Sequence, residues 1–264
     1  METWNAEFFG PGTPMLEAAP LLLIRGDHEK CERAGRGYFR FLDAGPAGSC
    51  TDFSDPYAIE FDEFRVVVMD TVQADDTSLS PDVVIRRYAE DFEKAASLSK
   101  EGTWLVSHRP IWALRPAAAK GVGKKDACLN QEIPDDLKLD DINVSVRKAL
   151  AASPLRGTLP ATVDLVLTAH IHVLEVLSFT GKRPPQAVVG ISGTKLLPSV
   201  SESPVGLMIA GEKITDALML SEHGFLGVQP AEAERAWRAD VIDVKGKAIA
   251  ECRIEDKRAV CAEK

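Results

Sequence analysis

Short apolar runs, four to six residues long and each closed by a polar turn, constrain this chain's fold more than any other feature. The clearest are Phe64–Met69 (FRVVVM), Thr103–Val106 (TWLV), Val163–Thr168 (VDLVLT), Leu174–Phe179 (LEVLSF) and Ala187–Ile191 (AVVGI). Runs of that length, bounded by Gly, Pro or polar residues, read as buried strands. Tyr57–Phe61 is expected to pair with Phe64–Met69 in a hairpin across Asp62-Glu63, the second strand being apolar enough to be central. Leu21–Ile24, Gly206–Ala210 and Ala217–Leu220 are further strands, and a C-terminal β-hairpin is expected at about 245–262. Val84, Tyr88 and Phe92 recur at spacing four, which predicts a helix ending near Ser99. Ser80-Pro81 supplies its start, Ser as N-cap and Pro in the first turn. A short helix is expected over Asn143–Ala152, and a helical segment over 2–19, broken at Gly10-Pro11-Gly12. Strands and helices alternate early and strands dominate late, the pattern of an α/β (α+β) protein with two sheets face to face and helices outside.

Three of these runs lead straight into histidines: Arg25-Gly26-Asp27-His28-Glu29, Ser107-His108-Arg109-Pro110 and Ala169-His170-Ile171-His172. Ligands collect where the carboxyl ends of sheet strands open into loops. Four of the five histidines can therefore converge at one sheet edge, and imidazole is the commonest metal-binding side chain. In an extended segment residues i and i+2 share a side, so His170 and His172 are expected to face the site together, with Ile171 turned into apolar packing. Plainer readings exist for each residue. His108 suits a hydrogen-bonded structural histidine, Asp27 a turn aspartate capping the backbone, and His28, His170 and His172 exposed loop positions. Glu29 either orients a neighbour or is a solvated carboxylate.

Gly26-Asp27-His28-Glu29, Ser107-His108 and Ala169-His170-Ile171-His172 follow the order of three motifs, Gly-Asn-His-Glu/Asp, Gly-His and Gly-His-x-His. In this the chain resembles the calcineurin-like metallophosphoesterases. Ile24–Asp43 (IRGDHEKCERAGRGYFRFLD) looks like one bacterial branch of that family, and the likeness runs from Trp4 to the C-terminal cysteines. The resemblance implies one domain over 1–264, a four-layer αββα sandwich of two mixed β-sheets flanked by helices. It implies hydrolysis of phosphate mono- or diesters by a metal-activated water between two divalent ions. A His/Asp ligand set does not separate iron, zinc and manganese. Asp27, His108 and His170 would serve one metal and His172 the other. His28 would be the catalytic residue beside the phosphorus, stabilising the transferring group or protonating the leaving oxygen. Arg33 and Arg36 are candidates to meet the substrate phosphate, since guanidinium matches phosphate bidentately; ordinary surface charge is the alternative.

The chain also departs from the family. The Asp-x-His and Gly-Asp-x-x-Asp motifs occur nowhere in its 264 residues, so the domain is expected to be N-terminally incomplete. Asp27 stands where the family has Asn, adding negative charge where phosphate must sit, and Ser107 and Ala169 replace glycines. A one-metal site with weak activity is the expectation. A catalytically inactive fold kept for binding or scaffolding is the alternative, and a mononuclear zinc hydrolase on the same histidines is a third reading.

A net charge of −9 excludes the basic surface usual in nucleic-acid binding; metal ions would supply the local positive charge that a phosphate ester needs. No apolar stretch approaches the roughly 18 residues that span a bilayer, and no signal peptide opens the chain. Five cysteines bear on compartment. If Asp256-Lys257 is a two-residue turn, Cys252 and Cys261 lie opposite each other as a non-hydrogen-bonded pair, close enough for a disulfide. Cys31 and Cys50 flank a long loop and can form a second bridge. Free buried thiols are the alternative, and Cys128 is left over. Bridged cysteines place the full-length parent in a periplasm or outside the cell. The loops 30–56 and 109–141 are expected to set specificity, the second as a lid or as a plain variable loop. No segment specifies the substrate or the oligomeric state.

Overall fold

The apolar runs become strands because each lies inside a sheet, hydrogen-bonded to a neighbour on either side, with most of its residues buried. The protein is represented by a computed structural model, which describes residues 2–43, 49–75, 78–116, 139–198 and 203–264. The larger sheet contains β1 (Tyr57–Glu60), β2 (Arg65–Met69), β3 (Thr103–Ser107), β6 (Val163–Thr168), β7 (Leu174–Phe179), β8 (Gln186–Val189), β9 (Met208–Ile209) and β10 (Glu212–Leu220). Its order is β1-β2-β3-β6-β8-β7-β10-β9. β2, β3, β6 and β8 run parallel, and β1, β7 and β10 are antiparallel to their neighbours. The smaller sheet is an antiparallel meander of β11 (Gly224–Pro230), β12 (Trp237–Asp243), β13 (Ala248–Glu255) and β14 (Arg258–Glu263). β4 (Ala113–Pro116) and β5 (Leu139–Ile142) form a separate pair.

The two sheets pack face to face. Trp104, Leu165, Leu174, Val176 and Leu218 of the larger meet Trp237, Ala239, Val241, Cys252 and Ile254 of the smaller. Phe64, Trp104 and Trp237 interlock there, with ring centroids 4.6–5.2 Å apart. On the other face of the larger sheet, Val67, Leu105, Val166 and Leu177 lie under Tyr88 and Phe92 of α4 (Asp82–Leu98) and Val146 and Leu150 of α5 (Val144–Ala152). This is the expected α/β sandwich. The outer face of the smaller sheet carries ion pairs, Lys264 with Asp240 and Glu251 and Arg253 with Glu255.

The C-terminal hairpin turns on Asp256 and Lys257, both in the left-handed region with φ of 47° and 59°, as a two-residue turn of the primed kind requires. Cys252 faces Cys261 with Cα atoms 4.0 Å apart, and the two are bonded. The Cys261 N–H points away from Cys252 to Asp216 Oδ1 (3.2 Å), as in a non-hydrogen-bonded pair. Next to it, Ser178 Oγ accepts from the Ala259 N–H (2.6 Å) and donates to the Ala259 carbonyl (2.7 Å). Cys31 and Cys50 also form a disulfide. Cys128 lies outside the described residues.

Three local expectations are corrected. The N-terminal helical segment does not break at Gly10-Pro11-Gly12: α1 (Glu2–Trp4) continues through a π-turn (Asn5–Phe9) into α2 (Gly10–Ala18). Pro11 falls at the start of α2, where the π-turn, closed by Gly10 N–H on the Asn5 carbonyl, leads into the helix. Leu21–Ile24 is not a strand. Leu22 and Ile24 pack on Val66, Val68 and Val106, but no strand lies alongside among the described residues, so no ladder forms. Ser80 does not cap α4. Its hydroxyl accepts from the Asp75 N–H (2.8 Å) and pairs with Ser145 Oγ (3.0 Å), and the helix starts at Asp82 after an uncapped Pro81.

After His108 the chain turns inward. Gln186 Oε1 accepts from the Ile111 and Trp112 N–H groups (2.9 and 3.1 Å), and the fully buried Glu175 carboxylate accepts from Leu114 N–H (3.2 Å). Residues 117–138, the centre of the expected lid, lie outside the described residues.

Candidate metal centre

β3 and β6 are parallel neighbours, with Val106 opposite Leu167. Both therefore end at the same edge of the sheet, where Ala169 N–H donates to the His108 carbonyl (3.0 Å). His108 follows β3 directly and His170 follows β6 by two residues, so adjacency of the strands alone brings the two rings together.

Asp27 arrives from a separate turn, Asp27–Glu29, a single turn of 3-10 helix. Arg25 places it. That buried side chain donates to Asp70 Oδ2 at the end of β2 (3.0 Å) and to the Glu29 carbonyl (2.9 Å). Its guanidinium also lies 4.8 Å from the ring centre of Phe39 on α3 (Gly35–Phe41). Glu29 closes the turn by accepting from Gly26 N–H (3.1 Å). A Cβ at position 26 would sit 3.2 Å from the His108 ring, so glycine there lets the turn come up against the imidazole.

The ligand atoms meet closely. His108 Nε2 is 3.0 Å from Asp27 Oδ1 and 3.0 Å from His170 Nδ1, and His170 Nδ1 is 3.6 Å from Asp27 Oδ1. Nitrogen and oxygen ligands about 2.0–2.1 Å from a tetrahedral zinc ion are about 3.3 Å from one another. The triangle observed matches that size, and with one carboxylate and two imidazoles its chemistry suits a divalent first-row metal. Hydrogen bonds from His108 and then His170 hold the Asp27 carboxyl far below the usual carboxylate range, so it is ionised at neutral pH.

His170 takes φ of 70°. Ile171 N–H donates back to the Ala169 carbonyl (2.8 Å), and Val173 N–H to the Ile171 carbonyl (2.8 Å). These are two successive γ-turns, the first of the positive-φ kind that is rare because it is strained. Gly190 makes room for them, since a Cβ there would lie 1.9 Å from the Ile171 carbonyl oxygen.

The same turns separate the two histidines. The segment is not extended, so the alternation expected of positions 170 and 172 does not apply, and His172 Nδ1 donates to the Lys195 carbonyl (3.0 Å) instead of joining the triangle. His28 flanks the centre: its ring is 66 % exposed, and Nε2 is 4.0 Å from Asp27 Oδ2. Arg33 and Arg36 are exposed, and no hydrogen bond or ion pair joins either to the triangle.

The cation at the centre is Arg109, which is 5 % exposed. Its Nη1 is 2.8 Å from His170 Nε2 and its Nη2 is 3.9 Å from Asp27 Oδ2. Burial pulls its pKa down while Asp27 and Asp75 oppose the change, and a guanidinium remains protonated throughout. Sequence reasoning missed Arg109, Arg25 and Asp70. Only Arg109 carried a signal, its place directly after His108.

No protein-family model and no curated protein matches the chain. Among solved structures it is similar to the purple acid phosphatase PPD1 from yellow lupin (Lupinus luteus) seeds, with a TM-score of 0.50 at 12% identity over 99% of this chain and 43% of that one. Weaker likenesses are to GAP50, the anchor in the inner membrane complex of Plasmodium (TM-score 0.43, 13% identity, 84% of this chain and 61% of that one), and to PhoD (0.41, 9%, 84% and 47%). The chain thus spans less than two thirds of each of these three structures, and what it shares with the lupin phosphatase is the fold.

Proposed function

We propose that this chain is a metal-dependent phosphoesterase domain, one unit over 1–264, in which Asp27, His108 and His170 hold a single divalent ion. The observation that carries this reading is the convergence of those three ligand atoms from three separate loops onto a triangle of metal-site size. When bound, the ion would polarise a phosphoryl oxygen and acidify a bound water. The protein's own groups do the rest. Arg25, Glu29 and Asp70 hold the Asp27 turn against His108. His28, next to Asp27 and largely exposed, is the residue whose ring would give a proton to a leaving oxygen. The Asp27 charge disfavours a phosphate dianion, so turnover is slow. Small phosphate mono- or diesters are the substrates, and the two disulfides suit an oxidising compartment.

One observation favours the second reading, a phosphoesterase fold without catalysis. Among the described residues the one metal-sized cluster of carboxylate and imidazole groups is Asp27, His108 and His170, so His172, whose Nδ1–H donates to the Lys195 carbonyl and leaves Nε2 to coordinate, has no partner ligands for a second metal.

The test is metal content and affinity of the wild type, Asp27→Ala and His170→Ala, alongside hydrolysis of p-nitrophenyl phosphate. Each substitution should weaken metal binding by tenfold or more, and His28→Ala should lower the metal-dependent rate while leaving the metal in place. Undiminished binding in both ligand variants removes the centre. Normal binding with no metal-dependent hydrolysis selects the non-catalytic reading.

A further inference from the structure

The hydrogen bond between Arg109 and His170 runs against the metal centre it adjoins. Guanidinium nitrogens only donate, so His170 Nε2, 2.8 Å from Arg109 Nη1, accepts. The single proton of the neutral ring then sits on Nδ1, which faces His108 Nε2 at 3.0 Å and Asp27 Oδ1 at 3.6 Å. Nδ1 is also the atom that belongs to the ligand triangle. To coordinate an ion it must offer a lone pair, and its proton must move to Nε2. That proton would then point at an Arg109 N–H only 2.8 Å away, donor against donor. Metal-bound histidines ordinarily send their second N–H to a carboxylate, carbonyl or water; here a cation fills that place.

The conflict is not relieved by moving the backbone. Arg109 N–H donates to Thr71 Oγ1 (2.9 Å), and its carbonyl accepts from Ser107 Oγ (2.9 Å), both buried. Only the side chain can swing. The same guanidinium reaches to 3.9 Å from Asp27 Oδ2, so it also competes for the anionic ligand's charge.

We propose that Arg109 is an internal competitor for the divalent ion: its guanidinium withdraws from His170 Nε2 before Nδ1 can coordinate, so the centre carries a built-in cation that sets how tightly metal is held. The inference rests on the metal-centre reading above. No proton is gained or lost overall, because the ring proton passes from Nδ1 to Nε2. Arg109 is a positioning residue in this account, acting on the metal through His170.

The experiment measures zinc affinity by competition with a chromophoric chelator, on the whole chain, for the wild type, Arg109→Gln, Arg109→Lys, Asp27→Ala and His170→Ala. Glutamine can turn its amide oxygen toward Nε2–H, so Arg109→Gln should bind zinc about 10- to 100-fold more tightly, the range that partners of metal-bound histidines command. Lysine can only donate, so Arg109→Lys should show no gain. A second measurement needs no variant: nitrogen-15 NMR of the zinc-free wild type should show His170 Nε2 unprotonated and Nδ1 protonated, and the reverse with zinc. If Arg109→Gln binds zinc equally or more weakly, or if Nε2 carries the proton before zinc is added, the competition is overturned. Loss of zinc binding in Asp27→Ala and His170→Ala would in that case leave the metal centre standing. If those two variants bind zinc as the wild type does, the centre itself fails.

Discussion

Asp91 should make this protein more stable as the pH falls from 7 to about 4. It lies on α4, 1 % exposed, with both carboxylate oxygens 3.0 Å from Arg87 Nε. Burial pushes its pKa up from 3.8 to about 6, more than Arg87 brings it down. A carboxyl with a raised folded-state pKa binds its proton more tightly in the native state. Its stabilising contribution is therefore complete below 3.8 and is lost as the pH rises through about 6. A shift of that size corresponds to about 3 kcal/mol at 1.36 kcal/mol per pKa unit. Asp27 works in the opposite sense, its depressed pKa giving a stabilisation that starts to decline as the pH falls towards 3.8, and being common to the wild type and Asp91→Asn it cancels in their difference. The assay is urea unfolding of the wild type and Asp91→Asn at half-unit steps from pH 4 to pH 8. Asparagine keeps the shape and an acceptor for Arg87 but cannot titrate. The wild type should lose up to about 3 kcal/mol relative to the variant between pH 4 and pH 7. Parallel curves across that range would refute the claim that burial outweighs the Arg87 pair.

Two further outcomes follow from the geometry. Replacing Cys252 and Cys261 by alanine reopens a loop of ten residues, which chain entropy values at about 2.7 kcal/mol; denaturant titration should show a loss near that figure, and an unchanged midpoint would mean the hairpin holds its register unaided. Gly190→Ala drives a Cβ into the Ile171 carbonyl, so the turn bearing His170 must shift. Overpacking of this kind costs about 1–3 kcal/mol, and both melting temperature and zinc affinity should fall, with neither moving if the turn is soft.

The sequence was most legible where one strand's chemistry decided the matter alone. β6 and β7 appear at the residues their apolar runs mark, and the Asp256-Lys257 turn carries Cys252 to Cys261 as alternation requires. His108 and His170 meet because β3 and β6 end at one edge, and Asp27 joins them from a turn held by Arg25. The failures share a cause, dependence on groups far away in the chain. Leu21–Ile24 has strand composition, but a strand exists only beside a partner. β12 has no continuous apolar run because Arg238 and Asp240 on its outer face interrupt it, and β11 is broken by Gly224 and Gly227. His172 parts from His170 because Gly190, directly after β8, accommodates γ-turns where an extended segment was expected. Arg109 stands directly after His108 in the sequence, and its role appears only when His170 is seen beside it.

The bridging of β14 by Ser178 and Asp216 has a mechanical consequence. Two side chains of the large sheet act as a surrogate neighbour for the outermost strand of the small one, occupying the main-chain groups of Ala259 and Cys261. Sliding the layers by a single residue, ~3.3 Å, would strand those groups dry and forfeit every one of these bonds. The halves of the sandwich are therefore keyed like a lock and tumbler, and the edge through which a stray chain could otherwise be recruited is already stoppered from within.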